Sequence, residues 1–123
     1  PPRLAIAHQA ECGIKTLSTL NNRKHWRSVS AARKKERQAG RDMMLGHGIK
    51  LPLTRRLVVT FCRLSAGSLD DDNLAAAGKS IRDGVADALE IDDANDLVEW
   101  VYTQERAKRG VYGVRVLIEE EVT

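Results

Sequence analysis

The acidic residues that could take part in chemistry are concentrated in one part of the chain. Three aspartates in succession, Asp70 to Asp72, are followed by the pair Asp92 and Asp93. Three carboxylates in one small volume stay ionised only when a cation neutralises them. Oxygen ligands of this kind favour Mg²⁺ or Mn²⁺, and such an ion can polarise a phosphoryl oxygen and activate water. The pattern is therefore compatible with phosphodiester hydrolysis.

The same residues also have structural interpretations. Acidic residues before a helix favour its N-terminal dipole, and Asp72 is predicted to be the N-cap of a helix from Asn73 to about Leu89. Asp92 and Asp93 could form a turn. An EF-hand loop is excluded because Gly and Glu are absent from its sixth and twelfth positions. A metal site and a capped helix therefore stay open as alternatives.

A buried strand and the following helix must position these acids. The run Leu57–Leu64 is apolar and β-branched, which predicts a strand, and the helix after it has one apolar stripe. Asp70 and Asp72 would point to the same side if the chain is extended there. On the polar side of the helix, Lys79 is four residues before Asp83, which predicts either a surface ion pair or a cation that holds a phosphate.

A second helix is predicted from Ser30 to about Leu45, ended by glycine. Arg33, Arg37 and Arg41 recur every four residues and form a cationic stripe on it. The stripe is either a solvated face or a surface that contacts phosphates.

The remaining elements complete an α+β fold. Val98–Thr103 and Val111–Ile118 are predicted strands, and the charged connection between them, ending in glycine, favours a hairpin. Leu4–Ala7 could be a short strand, although residues 1–15 are otherwise poorly defined. We predict one domain over residues 1–123, with a small mixed β-sheet covered by two main helices on one side.

Composition and charge narrow the classes of function. Residues 1–66 hold 14 Lys/Arg against 3 Asp/Glu, whereas residues 67–123 hold 6 against 14. This asymmetry suggests a basic surface for a polyanion beside an acidic cluster, or a basic arm that pairs with an acidic tail. Because only 4% of residues are aromatic, a protein that recognises nucleic-acid bases mainly by stacking them on aromatic rings is disfavoured. The chain has no apolar run long enough to cross a membrane, and it has no nucleotide-binding motif. Its two cysteines are far apart in the sequence, which suggests a cytoplasmic protein with reduced thiols.

The motif order resembles one family. The run Leu69-Asp-Asp-Asp-Asn-Leu74, followed by Lys79, Asp83 and Asp92-Asp93, is similar to the RusA family of Holliday junction resolvases, including its phage and prophage members. That family has an Asp-x-Asp-Asn-Leu motif, a helical lysine with an aspartate four residues later, and an Asp-Asp pair. Upstream, Leu20-Asn-Asn-Arg23 and the basic helix look similar to the family's N-terminal segment.

The resemblance implies a homodimeric endonuclease that resolves four-way DNA junctions with Mg²⁺, for which Mn²⁺ can substitute. Residue by residue, it implies that Asp70, Asp72 and Asp93 bind metal, that Lys79 is the essential lysine and that Asp92 is a secondary acidic neighbour. The expected DNA-contacting residues are basic side chains of the first half: Arg23, Lys24, Arg33, Arg37 and Arg41. Two symmetric cuts need two active sites, which favours a C₂ dimer.

Two other classes compete with the nuclease. The first is a non-catalytic nucleic-acid-binding module in which the acidic cluster only caps a helix. The second is a structural or regulatory phage protein of the same fold that lacks activity. Cleavage of a branched DNA substrate in Mg²⁺ would separate the nuclease from both.

Overall fold

The computed structural model describes residues 3–16, 26–92 and 94–122 of the 123-residue chain, and it confirms the α+β class. Six elements follow one another along these residues. They are β1 (Arg3–Cys12), α1 (Trp26–Met43), β2 (Leu57–Ser65), α2 (Asp71–Ala88), β3 (Val98–Arg106) and β4 (Gly113–Val122). The four strands form one mixed sheet, and the two helices are those that the sequence predicts.

The order of strands in the sheet differs from the prediction. It is β1-β4-β2-β3, so β2 lies between β3 and β4 and pairs with both, parallel to β3 and antiparallel to β4. The predicted hairpin of β3 and β4 is therefore wrong. The charged, glycine-containing connection does reverse the chain, but it crosses the end of β2 because the most apolar strand takes a central position. Turn residues determine where the chain reverses and leave open which strands pair.

The N-terminal segment is better ordered than its sequence suggests. Arg3–Cys12 forms a full edge strand paired with β4, with a register shift between Ile6 and His8. The bounds of the first helix also differ from the prediction, since α1 begins at Trp26 instead of after Ser30.

None of the described helices is long and apolar enough to span a membrane.

The core lies between the sheet and α2. Leu74, Ile81 and Val85 of α2 are at most 4% exposed, as the predicted apolar stripe requires. They pack with alternate residues of β2 and β4, among them Val59 and Ile118. Burial of this surface is the main favourable term that holds α2 across the sheet.

Helix α1 packs on α2 at a close crossing of two glycines. A Cβ on Gly84 would overlap the carbonyl oxygen of Arg37 and crowd Gly40, and a Cβ on Gly40 would overlap the carbonyl oxygen of Ile81. Two helix backbones meet there, and Ser80 and Gly84 on this side of α2 are buried in addition to the sheet-facing stripe. Helix α2 therefore has a neighbour on two sides, and only its remaining face is open.

Candidate functional site at the N-terminus and open face of α2

Asp70 begins α2 as its N-cap. Its backbone is extended (φ −69°, ψ 169°), its Oδ1 accepts a hydrogen bond from the Asn73 N–H at 2.9 Å, and its carbonyl accepts one from Leu74 at 2.8 Å. The prediction that Asp72 is the N-cap is therefore wrong by two residues. An N-cap carboxylate bonds the N–H three residues later, and Asn73 holds that position relative to Asp70. Asp71 and Asp72 lie in the first turn, where they favour the helix dipole.

This correction changes the relation between Asp70 and Asp72. Strand β2 ends at Ser65, and Asp72 is already helical, so the alternation of side chains in an extended strand does not apply across the pair. Both side chains are exposed. One oxygen of Asp70 is engaged by the helix N-terminus, while its other oxygen and the Asp72 carboxylate face the surface.

Gln104 of β3 positions the segment before Asp70. Its side-chain amide accepts from the Leu69 N–H at 2.9 Å and donates to the Leu69 carbonyl at 2.7 Å. These two bonds tie Leu69 to the sheet and determine where Asp70 stands. Sequence reasoning missed Gln104, since a single glutamine 35 residues away carries no local signal.

The predicted Lys79–Asp83 ion pair is confirmed. Lys79 Nζ lies 2.9 Å from Asp83 Oδ1, on the open face of α2. Lys79 borders two grooves, one of about 490 Å³ and one of about 250 Å³. The larger groove is lined by Arg33, Ala75, Ala76, Lys79, Arg82 and Tyr102. Three cations therefore surround one open groove on the helix face that also holds Asp72, which suits a phosphate group.

Arg82 is held in place along the larger groove. Its guanidinium donates to the Tyr102 hydroxyl at 2.8 Å and lies 4.7 Å from the ring centre of Trp100. A cation stacked on an aromatic ring keeps its orientation with little loss of charge. The groove consequently has a pre-oriented cation, Arg82, one helical turn from the ion-paired Lys79.

The second acidic group lies at the other end of α2. Asp92 lines the smaller groove with Lys79, Asp83 and Asp87. Asp72 and Asp83 are separated by eleven residues of continuous helix, about 16 Å along the axis at 1.5 Å per residue. Asp92 lies beyond the C-terminus of that helix, so Asp72 and Asp92 of one chain are not positioned to share an ion.

Asp93, the third predicted metal ligand, falls outside the described residues. Within residues 3–16, 26–92 and 94–122, no three His, Cys, Asp or Glu side chains come together as a metal-binding group. The predicted convergence of the two acidic groups in one chain is therefore not found in the part that the structure describes. Their oxygen chemistry suits Mg²⁺, which one or two carboxylates can hold together with waters and substrate phosphates.

The arginine stripe of α1 faces α2. Arg37 makes two hydrogen bonds of 2.7 Å to Asp87, and Arg41 lies 3.3 Å from the same carboxylate. The hydrogen bond from Arg37 lowers the pKa of Asp87 below its usual value. Arg33 pairs with the buried Glu36 at 3.6 Å. The three arginines stay partly exposed, so they join the two helices and border the grooves as well.

Two further predicted DNA contacts, Arg23 and Lys24, also fall outside the described residues. Asp87, by contrast, is a residue that sequence reasoning missed. Its partner Arg37 is 50 residues away, so no spacing rule could link them. The bidentate pair restrains α1 relative to the open face of α2, and with it the position of Arg33 on the larger groove.

No protein-family model matches the chain. A comparison with curated proteins finds a protein of Xylella fastidiosa (strain Temecula1), described as uncharacterized, that is 34% identical over 106 residues. The match covers 73% of this chain and 69% of the relative. At this identity and coverage, the chain belongs to the same family as the Xylella fastidiosa protein.

Proposed function

We propose that the protein is a Mg²⁺-dependent, structure-selective DNA endonuclease of RusA type, which resolves four-way junctions in recombination and repair. The observation that carries the proposal is the open face of α2. Two surface carboxylates at its N-terminus, Asp70 and Asp72, precede a groove bordered by Arg33, Lys79 and Arg82. Carboxylates that can bind a hard cation, beside cations that can bind phosphate, form the combination that phosphodiester hydrolysis needs.

We infer that the enzyme acts as a homodimer with a metal site shared between protomers. Asp70 and Asp72 of one protomer would hold the ion together with Asp93 of its partner, because Asp92, the described acid of the second group, lies beyond the opposite end of α2 from Asp70 and Asp72. Mg²⁺ supplies a polarised phosphoryl oxygen and a bound water of lowered pKa. A C₂ dimer would contain two such sites, which matches two symmetric cuts in a four-way junction.

The cationic side chains have separate parts in the proposal. Lys79, oriented by Asp83, offsets the charge that develops on the phosphate or on the leaving oxygen. Arg33 and Arg82 bind neighbouring phosphates along the larger groove. Arg37 and Arg41 are half-exposed and ion-paired to Asp87, and they contact the DNA backbone at the rim of the smaller groove. Arg23 and Lys24 extend this surface, and Asp92 of the partner protomer, next to the Asp93 that binds the ion, adds negative charge close to the metal.

A labelled four-way junction, incubated with and without Mg²⁺, tests the proposal. Linear duplex of the same arm sequence is the control, and Mn²⁺ should replace Mg²⁺. Asp72→Asn should reduce cleavage about a hundredfold or more with binding retained, because loss of a metal ligand removes several kcal/mol from transition-state stabilisation. Asp72 is preferred to Asp70 because the Asp70 side chain also caps α2. The neighbouring Asp71→Asn is the matched control and should keep most of the activity.

The alternative is a non-catalytic nucleic-acid-binding or structural phage protein of the same fold. The cap bond of Asp70 favours it, since that bond explains one carboxylate without any metal. A wild-type protein that binds the junction in Mg²⁺ and leaves it uncut would establish the binding module. A protein that neither binds nor cuts would favour the structural role.

A further inference from the structure

A cationic turn lies at the same edge of the sheet as Asp70. The strands β2 and β3 end together, because Ser65 pairs with Arg106, and β4 begins beside them, because Leu64 pairs with Gly113. Strand β1 ends at this edge too, with Cys12 opposite Val114. Three connecting segments, residues 13–16, 66–70 and 107–112, therefore leave the sheet at one edge, which we call the strand-end edge.

The turn between β3 and β4 has a defined shape. The Val111 N–H donates to the Lys108 carbonyl at 2.9 Å, and Gly110 has φ +84°, which a residue with a side chain adopts at a cost. The Ala107 N–H donates to the Ser65 carbonyl at 3.0 Å and ties the turn to the end of β2. Lys108 and Arg109 are consequently presented at the tip of an ordered turn, both exposed.

Neighbouring groups enlarge this basic surface. Arg106 precedes the turn and is exposed, and Lys15 approaches from β1 with its Nζ 4.6 Å from the ring centre of Tyr112. Tyr112 is 37% exposed and Val111 is 48% exposed, so an aromatic and an apolar side chain stand among the cations. We call Lys15, Arg106, Lys108 and Arg109 the turn patch.

The turn patch differs from the arginines of α1 in its partners. Arg37 and Arg41 are paired with Asp87, whereas no member of the turn patch has an ion-pair partner among the described residues. Four exposed like charges repel one another, and an external polyanion would relieve that repulsion. The residue tied to β3 next to this edge is Leu69, which directly precedes Asp70. A polyanion on the turn patch would therefore pass close to Asp70 and Asp72.

We propose that the turn patch binds the sugar–phosphate backbone of the DNA strand that enters the candidate active site. The inference rests on the proposed function and adds a contact surface of which three residues, Arg106, Lys108 and Arg109, come from the acidic half of the sequence. It implies that DNA follows two basic tracks, the groove along α2 and the strand-end edge, which meet at the N-terminus of α2. The backbone contacts at the strand-end edge would set the distance between a bound phosphate and Asp70.

Salt dependence of junction binding in EDTA, where cleavage cannot occur, tests the inference. Each phosphate contact that is lost reduces the slope of log K against log[salt] by about 0.9, so Lys108→Ala/Arg109→Ala should lower it by about 2. The ratio of wild-type to variant affinity should then shrink about tenfold between 50 and 200 mM salt. Arg3→Ala/Lys50→Ala is the charge-matched control, because both residues are exposed, Arg3 begins β1 at the opposite edge and Lys50 comes before β2. This control should keep the wild-type slope.

The outcomes separate the two proposals. If the turn variant and the control have equal salt slopes and the wild type binds normally, the proposal that the turn patch binds DNA is overturned and the endonuclease proposal stays intact. A reduced slope only in the turn variant supports DNA binding by the turn patch. If the wild type then fails to cut in Mg²⁺, that failure contradicts the endonuclease proposal alone. No junction binding by the wild type would overturn both. Unchanged thermal unfolding of both variants shows that charge, and not folding, is responsible.

Discussion

Two inactive variants should restore each other's activity if the metal site is shared between protomers. The structure supplies the reason, since Asp72 stands about 16 Å along the helix axis from Asp83, whose groove contains Asp92. Oxygens that bind one Mg²⁺ lie about 2.1 Å from it, so two of them are at most about 4 Å apart. If the site is shared, Asp72→Asn and Asp93→Asn remove ligands that different protomers contribute to it. Each variant alone should be inactive.

Mixing the two variants has a calculable result. Random exchange of subunits makes about half of the dimers mixed, and each mixed dimer contains one intact site and one that lacks both carboxylates. Intact sites then reach about a quarter of the wild-type number. Because a dimer with one intact site cuts one strand, native gels should show nicked junctions with few resolved duplex products. Asp72→Asn mixed with the double variant Asp72→Asn/Asp93→Asn is the control and should stay inactive.

The refuting result is equally clear. If the mixture stays as inactive as its components, while size-exclusion chromatography shows dimers and a labelled subunit shows exchange, each site is built within one protomer. The idea that a second copy completes the site would be abandoned.

Three further changes test the fold and the positioning of the site. Gly84→Ala should lower the free energy of unfolding in urea by about 1–3 kcal/mol, because its Cβ overlaps the α1 backbone at Arg37 and outweighs the gain in helix propensity. Gln104→Ala should slow single-turnover cleavage about tenfold or more with junction binding unchanged, since Leu69 loses both bonds that position Asp70. Asp87→Asn should lower the melting temperature at pH 7 by about 2 °C or less, because the ion pair is exposed.

The pH dependence of the last variant follows from the lowered pKa of Asp87. A carboxylate whose folded pKa is lowered adds stability above its usual pKa near 3.9, and that stability is lost as the pH falls through the folded pKa. Wild type and Asp87→Asn should therefore differ in melting temperature at pH 7, and the difference should shrink as the pH falls through the lowered pKa of Asp87. A difference in melting temperature that stays constant as the pH is lowered would show that the Arg37 bond is not the cause.

Matched variants control the other two changes. Gly67→Ala places a Cβ in open space and should leave the free energy of unfolding nearly unchanged, in contrast to Gly84→Ala. Equal stability of both variants would mean that the two helices do not meet at the glycines. For Gln104, the exposed Thr103→Ala on the same strand is the control. Weaker junction binding by Gln104→Ala at an unchanged cleavage rate would contradict its role in positioning.

The elements themselves could be predicted because their signals are local. The apolar run at Leu57 and the stripe through Leu74, Ile81 and Val85 each reflect a repeat that neighbouring residues create among themselves. The Lys79–Asp83 pair was predictable for the same reason, since one turn of helix always brings such residues together. Secondary structure, the fold class and the open face of α2 therefore follow from residues close in sequence.

Asp70 illustrates an intermediate case. Sequence reasoning located the start of the helix to within two residues but chose Asp72 as the cap, because three consecutive aspartates offer three similar candidates. Only the path of the chain from β2, held at Leu69 by Gln104, selects Asp70. When three neighbouring residues are all aspartates, their preference for the N-cap position is the same, and local sequence cannot identify which of them is the cap.

Tertiary structure alone decided which strands pair and which charges meet. A turn such as Lys108–Gly110 reverses the chain equally well for a hairpin or for a connection across β2, and the burial of β2 determines the choice. Likewise, the arginines of α1 are equally spaced whether they face solvent or Asp87. Local sequence determines the shape of each element, whereas partners distant in the chain are selected by burial and charge pairing once the whole core has formed.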